Sequence, residues 1–167
     1  MVYAKNPKAA ASLSTSLQQG KIEKWYQAVI CGKPVDNNGT YVDYLKQDKK
    51  NNCSRIVDKS DPESKRAELE YKVLDCIQTE EKDPQYLSLV EIKLLTGRHH
   101  QIRVQFSGHG TPLYGDGKYG NNEKAVRKSL ALCACHLKFK HPATGKIMDF
   151  QIKPDTGAFK LFSKSND

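Results

Sequence analysis

Three stretches of this chain alternate apolar and polar side chains one by one, and that pattern constrains the fold more than any other feature. Ala67, Leu69, Tyr71 and Val73 interleave with Glu68, Glu70 and Lys72. Val90, Ile92 and Leu94 interleave with Glu91 and Lys93, and Met148, Phe150 and Ile152 with Asp149, Gln151 and Lys153. Successive side chains of a strand point to opposite faces, so this period marks strands with one buried and one wet face. Glu23 to Cys31, containing Trp25, Tyr26 and Val29-Ile30, reads as another strand, closed by Gly32-Lys33-Pro34. A short strand over residues 40–45 follows the turn cluster Asp36-Asn37-Asn38-Gly39. Residues 130–140 form a further strand candidate, turned by His141-Pro-Ala-Thr-Gly145 into the last one. Near the start, Asn6 reads as a helix N-cap with Pro7 at the first helical position. Ala10, Leu13 and Leu17 then recur at helical spacing up to a stop at Gly20. Residues 46–64 are polar and lysine-rich and read as a solvated loop. The expected class is α+β: a mostly antiparallel mixed sheet with a few flanking helices, in a single domain over residues 1–167.

Charge narrows the partner. The chain carries a formal net charge of +8, which favours a polyanion such as nucleic acid; the plainer alternative is that the lysines only confer solubility. No window approaches the roughly 20 continuous apolar residues of a membrane span, and the start lacks the apolar core of a secretory signal. A cytoplasmic protein is therefore expected. Five scattered cysteines argue against a disulfide framework. Cys133-Ala-Cys135-His136, with His141 nearby, invites a zinc site, but strand alternation turns His136 away from the two thiols. Buried free thiols and no metal are expected.

The segment from Leu94 to Gly120 carries the chemistry. Thr96-Gly97-Arg98 reads as a sharp turn from strand into a helix over residues 99–107. Arg103 falls one turn after His99 and shares its face, while Ile102 and Phe106 anchor the helix to the core. An arginine on a core-anchored helix can present its planar fork to a carboxylate or a phosphate. Gly108, Gly110, Gly115, Gly117 and Gly120, with Pro112, shape a tight loop.

Thr-Gly-Arg-x-His-Gln-Ile-Arg followed by Gly-x-Pro-Leu-x-Gly-Asp-x-x-Tyr resembles the downstream active-site motif of the RluA-type RNA pseudouridine synthases. In that family the second arginine pairs with the catalytic aspartate, a role the resemblance gives to Arg103. Arg98 would contact phosphate or support the turn, and Asp116 would have a structural role in its turn. Lys24-Trp25-Tyr26 resembles the family's second signature, whose tyrosine lies against the target base and acts as the late general base; Tyr26 matches it. Residues 130–145 resemble the C-terminal strand pair, with Cys133 where many members have histidine. The likeness runs from Met1 to about Pro154.

The resemblance implies isomerisation of uridine to pseudouridine in ribosomal or transfer RNA without a cofactor, with Tyr26 and Arg103 as catalytic residues and Lys24, Arg98, His99 and Lys118 as RNA contacts. The family's His-Arg-Leu-Asp motif, with the essential aspartate, lies just upstream of the segment that looks like Met1–Pro7. The chain is therefore expected to be an N-terminally incomplete catalytic domain, inactive alone, whose unpaired sheet edges would encourage a homo-oligomer. The alternatives are a non-catalytic RNA-binding protein derived from that fold, or a structural module that has kept only the sheet.

Overall fold

The computed structural model describes residues 2–80, 84–120 and 128–163. Seven strands form one sheet: β1 (Glu23–Cys31), β2 (Asn38–Asp48), β3 (Cys53–Val57), β4 (Lys65–Gln78), β5 (Tyr86–Leu94), β6 (Leu132–Lys140) and β7 (Ile147–Gln151). Their spatial order is β3-β2-β4-β5-β1-β6-β7, and every pairing is antiparallel. Helix α1 (Pro7–Gln18) precedes the sheet, α2 (Gln101–Gly108) follows β5, and a 3-10 helix, Gly157–Phe162, ends the described chain.

Alternation places the core as expected in β4 and β5. Leu69, Tyr71, Val90 and Ile92 join Ala28 and Ile30 of β1 on one face, where Ile102 and Phe106 of α2 cover them. The opposite face buries Val29 and Leu87 beneath Phe159 and Phe162 of the 3-10 helix. Being covered on both sides, β1 carries three consecutive residues, Ala28, Val29 and Ile30, at 0% exposure. This is why its apolar run does not alternate.

Three local expectations are corrected. First, residues 46–64 are not a loop throughout: β2 runs on to Asp48 and turns back as β3, in register from Tyr44 opposite Val57 to Asp48 opposite Cys53. The signal is hidden because β3 is an edge strand whose one buried residue is the polar Ser54. Asp48 holds the turn by accepting from the Asn51 backbone and side-chain nitrogens. Secondly, β7 alternates without being half-buried, since Phe150 and Ile152 are 51% and 62% exposed at the other sheet edge. Helix α1 forms as expected, with its Asn6 cap accepting from Ala9 N at 2.8 Å, and none of its residues is buried. Finally, β6 does not alternate strictly. A bulge shifts its register against β1, so that Cys133 lies opposite Gln27 and His136 opposite Trp25. Cys133 and His136 thus share the face of Trp25, on which the His136 ring stacks at 4.1 Å.

Candidate active site

The turn into α2 is built by one buried glutamine. Gln101, 3% exposed, accepts the Thr96 hydroxyl at 2.8 Å and the Arg98 backbone N–H at 2.9 Å, and donates to the Glu68 carbonyl at 3.0 Å. Satisfying three groups at once fixes the Thr96-Gly97-Arg98 bend against β4. His100 then takes a left-handed backbone, φ 52°, a conformation that disfavours residues with a Cβ by about 1–2 kcal/mol. The helix accordingly begins at Gln101 rather than at His99, and helical periodicity does not extend back to pair His99 with Arg103.

Beyond the turn, α2 aims Arg103 at Asp116. Nε donates to Oδ2 at 2.8 Å and Nη2 to Oδ1 at 2.7 Å, a bidentate pair whose carboxylate is fully buried. Asp116 also accepts the backbone N–H groups of Lys118 and Tyr119, each at 3.0 Å. Burial pushes its carboxyl up, but the Arg103 guanidinium and these two N–H groups outweigh it and hold the group below the ordinary carboxylate range. The turn role expected of Asp116 is present, and Arg103 is an addition to it. Arg103 also lies over the Tyr119 ring, 4.9 Å from its centre.

Tyr119 joins this pair to the β3 edge. Its hydroxyl accepts the Ser54 N–H at 2.8 Å and meets His100 Nδ1 at 2.8 Å. Burial, then the charges of Arg103, His99 and Lys118, depress the His100 pKa below the usual histidine value. With the Tyr119 oxygen accepting from Ser54, its own O–H can donate to Nδ1 of a neutral His100 ring that carries its proton on Nε2. His99 is held by Ser54 Oγ at Nδ1, 2.9 Å, and by Asn52 Oδ1 at Nε2, 3.1 Å.

The residues expected to serve function are only partly brought together. Tyr26 packs at the margin of the core that Ile102 and Phe106 enter, so it lies on the sheet face covered by α2. Burial raises its phenol above the ordinary value. Neither hydrogen bond of Arg103 reaches Tyr26. Lys24 precedes Tyr26 by two and is half-buried; burial lowers its ammonium, and a Cβ on Gly97 would sit 3.4 Å from its Nζ. Arg98 donates from Nε to the Arg66 carbonyl. Lys118 donates to the carbonyls of Asn51 and Asn52 in the hairpin turn at 3.3 and 2.8 Å. Sequence reasoning missed Ser54, His100, Gln101 and Tyr119. His100, Gln101 and Tyr119 carried a signal, as named positions of the Thr-Gly-Arg-x-His-Gln-Ile-Arg and Gly-Asp-x-x-Tyr runs, while Ser54 carried none.

Comparison with known proteins settles the class. Residues 1–108 match the family model described as RNA pseudouridylate synthase. An RNA pseudouridine synthase of Aquifex aeolicus is 34% identical over 165 residues, covering 93% of this chain and 50% of the relative. Ribosomal large subunit pseudouridine synthase D of Zymomonas mobilis is 34% identical over 161 residues, covering 92% and 48%. The chain spans about half the length of these relatives. In fold it is similar to human RNA Pseudouridylate Synthase Domain Containing 1, with a TM-score of 0.75 at 23% identity, covering 91% of this chain and 62% of that one. The chain belongs to the RNA pseudouridylate synthase family. Within it, the match to ribosomal large subunit enzymes of the C and D kinds marks it as RluA-type.

Proposed function

We propose that this chain supplies Tyr26 and Arg103 to a site that isomerises uridine to pseudouridine in ribosomal or transfer RNA, in the cytoplasm, and that these 167 residues by themselves do not turn over. The observation that carries the reading is the shared sheet face: β1 presents Tyr26 on the side where α2 holds Arg103. The target uridine leaves its stack to expose C1′ and C5. The C1′–N1 bond breaks as an aspartate carboxylate bonds to C1′, the base turns, C5 bonds to C1′ as the aspartate–C1′ bond breaks and the carboxylate leaves, and the C5 proton departs while N1 takes one up. Burial favours the protonated phenol of Tyr26, so its oxygen can take the C5 proton, made acidic by the new C5–C1′ bond, only as its own hydroxyl proton passes on to water. Arg103 spends Nε and Nη2 on Asp116. Among the described residues its Nη1 has no partner, and this is the edge that would meet a second carboxylate. Lys24, Arg98 and His99 would steer the RNA strand, with Lys118 bracing the hairpin beside them.

Asp116 is a poor nucleophile. It is fully buried, both its oxygens accept from Arg103, and Oδ1 also accepts the Lys118 and Tyr119 N–H groups, so its lone pairs are engaged. The engagement of two Arg103 nitrogens with Asp116 favours, as a second reading, a protein that binds RNA without catalysis. Tritium release from RNA labelled at uridine C5 tests the proposal. The 167-residue chain at high concentration should release none, while a chain joined to an upstream segment containing His-Arg-Leu-Asp should release tritium. Turnover by the 167 residues alone would show that the nucleophile has been misplaced; silence from the extended chain would favour binding without catalysis.

A further inference from the structure

A broad groove of about 1440 Å³ runs beside the candidate site, between α1, the start of β1, the Thr96-Gly97-Arg98 turn and the β6–β7 turn. Its lining includes six cationic side chains, Lys21, Lys24, Lys93, Arg98, Lys138 and Lys140, against a single carboxylate, Glu23. Among the described residues none of these six has a carboxylate within ion-pair distance. That includes Lys138, although Glu23 and Asp149 are its cross-strand neighbours; Asp149 is taken by His136 at 2.8 Å. An uncompensated concave patch of one sign focuses potential and collects a polyanion. The β6–β7 turn adds a directed donor. His141 Nδ1 accepts the N–H groups of Ala143 and Thr144 at 3.3 and 3.2 Å, which places the ring proton of the neutral form on Nε2.

We propose that this groove is a phosphate track for a single RNA strand, in which Lys138, Lys140 and His141 of the β6–β7 turn hold backbone phosphates beyond the nucleotide presented at Tyr26. The assignment rests on the RNA reading above and extends it to residues outside the turn into α2. The strand enters past Lys24 and Arg98, where the groove adjoins β1 two residues from Tyr26, and leaves between the β6–β7 turn and α1. Ser12 and Ser16 of α1 line the opposite wall and offer hydroxyl donors to the same phosphates.

The test is fluorescence anisotropy of a labelled single-stranded RNA titrated with the chain over a range of salt concentrations, for wild type and Lys138→Gln/Lys140→Gln. A Lys153→Gln/Lys160→Gln control removes the same charge from exposed positions outside the groove, and circular dichroism checks that each variant is folded. Each phosphate contact on a single strand contributes about 0.7 to the slope of log affinity against log salt. The groove variant should therefore lose about 1.4 from that slope, and the control should keep it. Salt-dependent binding by wild type with no change in the groove variant would overturn the phosphate track and leave the RNA reading intact. Absence of RNA binding by folded wild type at low salt would sink both. Displacement of the RNA by polyglutamate as readily as by unlabelled RNA of equal charge would show that any acidic polymer fits, and would overturn the assignment to RNA.

Discussion

Asp116→Asn is the substitution on which the site's architecture is most exposed to refutation. The side chain is 0% exposed and its Arg103 partner 17%, so the pair sits largely outside solvent screening. Asparagine keeps the shape and can still accept the Lys118 and Tyr119 N–H groups through Oδ1. Its Nδ2, however, would face the Arg103 Nε–H, donor against donor, and the guanidinium would keep its charge with no counterion. Breaking a buried pair from one side destabilises by about 3–5 kcal/mol. Because Arg103 retains some contact with water, the lower end, about 3 kcal/mol, applies. At about 2–4 °C per kcal/mol for a chain of this size, Tm should fall by roughly 6–12 °C. The pH dependence has a defined sign. The native Asp116 pKa lies below its unfolded value, so the contribution is fully present above about pH 4 and is lost as pH falls through the native pKa. Thermal melts from pH 3 to pH 7 should show wild type losing its advantage over Asp116→Asn at the acid end. A variant within about 0.5 kcal/mol of wild type at pH 7 would mean the pair contributes nothing and Arg103 is not fixed by it.

Other substitutions probe the rest of the frame. Tyr119→Phe should lower stability by about 1–2 kcal/mol, since it strands the buried Ser54 N–H, and the His100 titration seen by NMR should move. His100 itself makes wild type less stable as pH drops from about 6.5 towards its lower native value, because the unfolded chain binds the proton first; His100→Gln should flatten that limb in urea melts at pH 7 and 5.5. Gly115→Ala should abolish soluble expression or lower Tm sharply, because φ is +76° and a Cβ would lie 2.2 Å from the Ser129 carbonyl oxygen. Normal folding of that variant would show that the loop is not held where the structure has it.

The sheet was legible wherever one face meets the core, because burial imposes the period-two pattern that β4 and β5 display. It was illegible at the edges. In β3 the inward residue is Ser54, whose polar atoms are spent on Tyr119 and His99, so no apolar signal marks the strand. In β7 the pattern exists while the burial does not. A bulge is invisible to any strict alternation rule, and the bulge in β6 returned His136 to the face of Cys133.

The site shows the same division between what chain periodicity encodes and what distant partners decide. Ile102 and Phe106 anchor α2 as their spacing requires, and from that anchoring Arg103 acquires its direction. Its partner could not be read from helix geometry, because Asp116 lies thirteen positions further on, beyond a loop whose path depends on Gly115 passing against the Ser129 backbone. His100 and Ser54 are farther still from any local rule: a left-handed residue at a helix start and a serine on an edge strand meet through the hydroxyl of Tyr119 and the ring of His99. Asp116, Arg103, Tyr119, Ser54 and His100 therefore act as one connected frame spanning α2, the glycine loop and the β2–β3 hairpin. Double-mutant cycles should find coupling between the side chains of Asp116 and Tyr119, which meet only through the Tyr119 backbone N–H and not side chain to side chain, carried by the Arg103 guanidinium that contacts both. Strict additivity would reduce the frame to separate local contacts and leave the orientation of Arg103 to its bond with Asp116 alone.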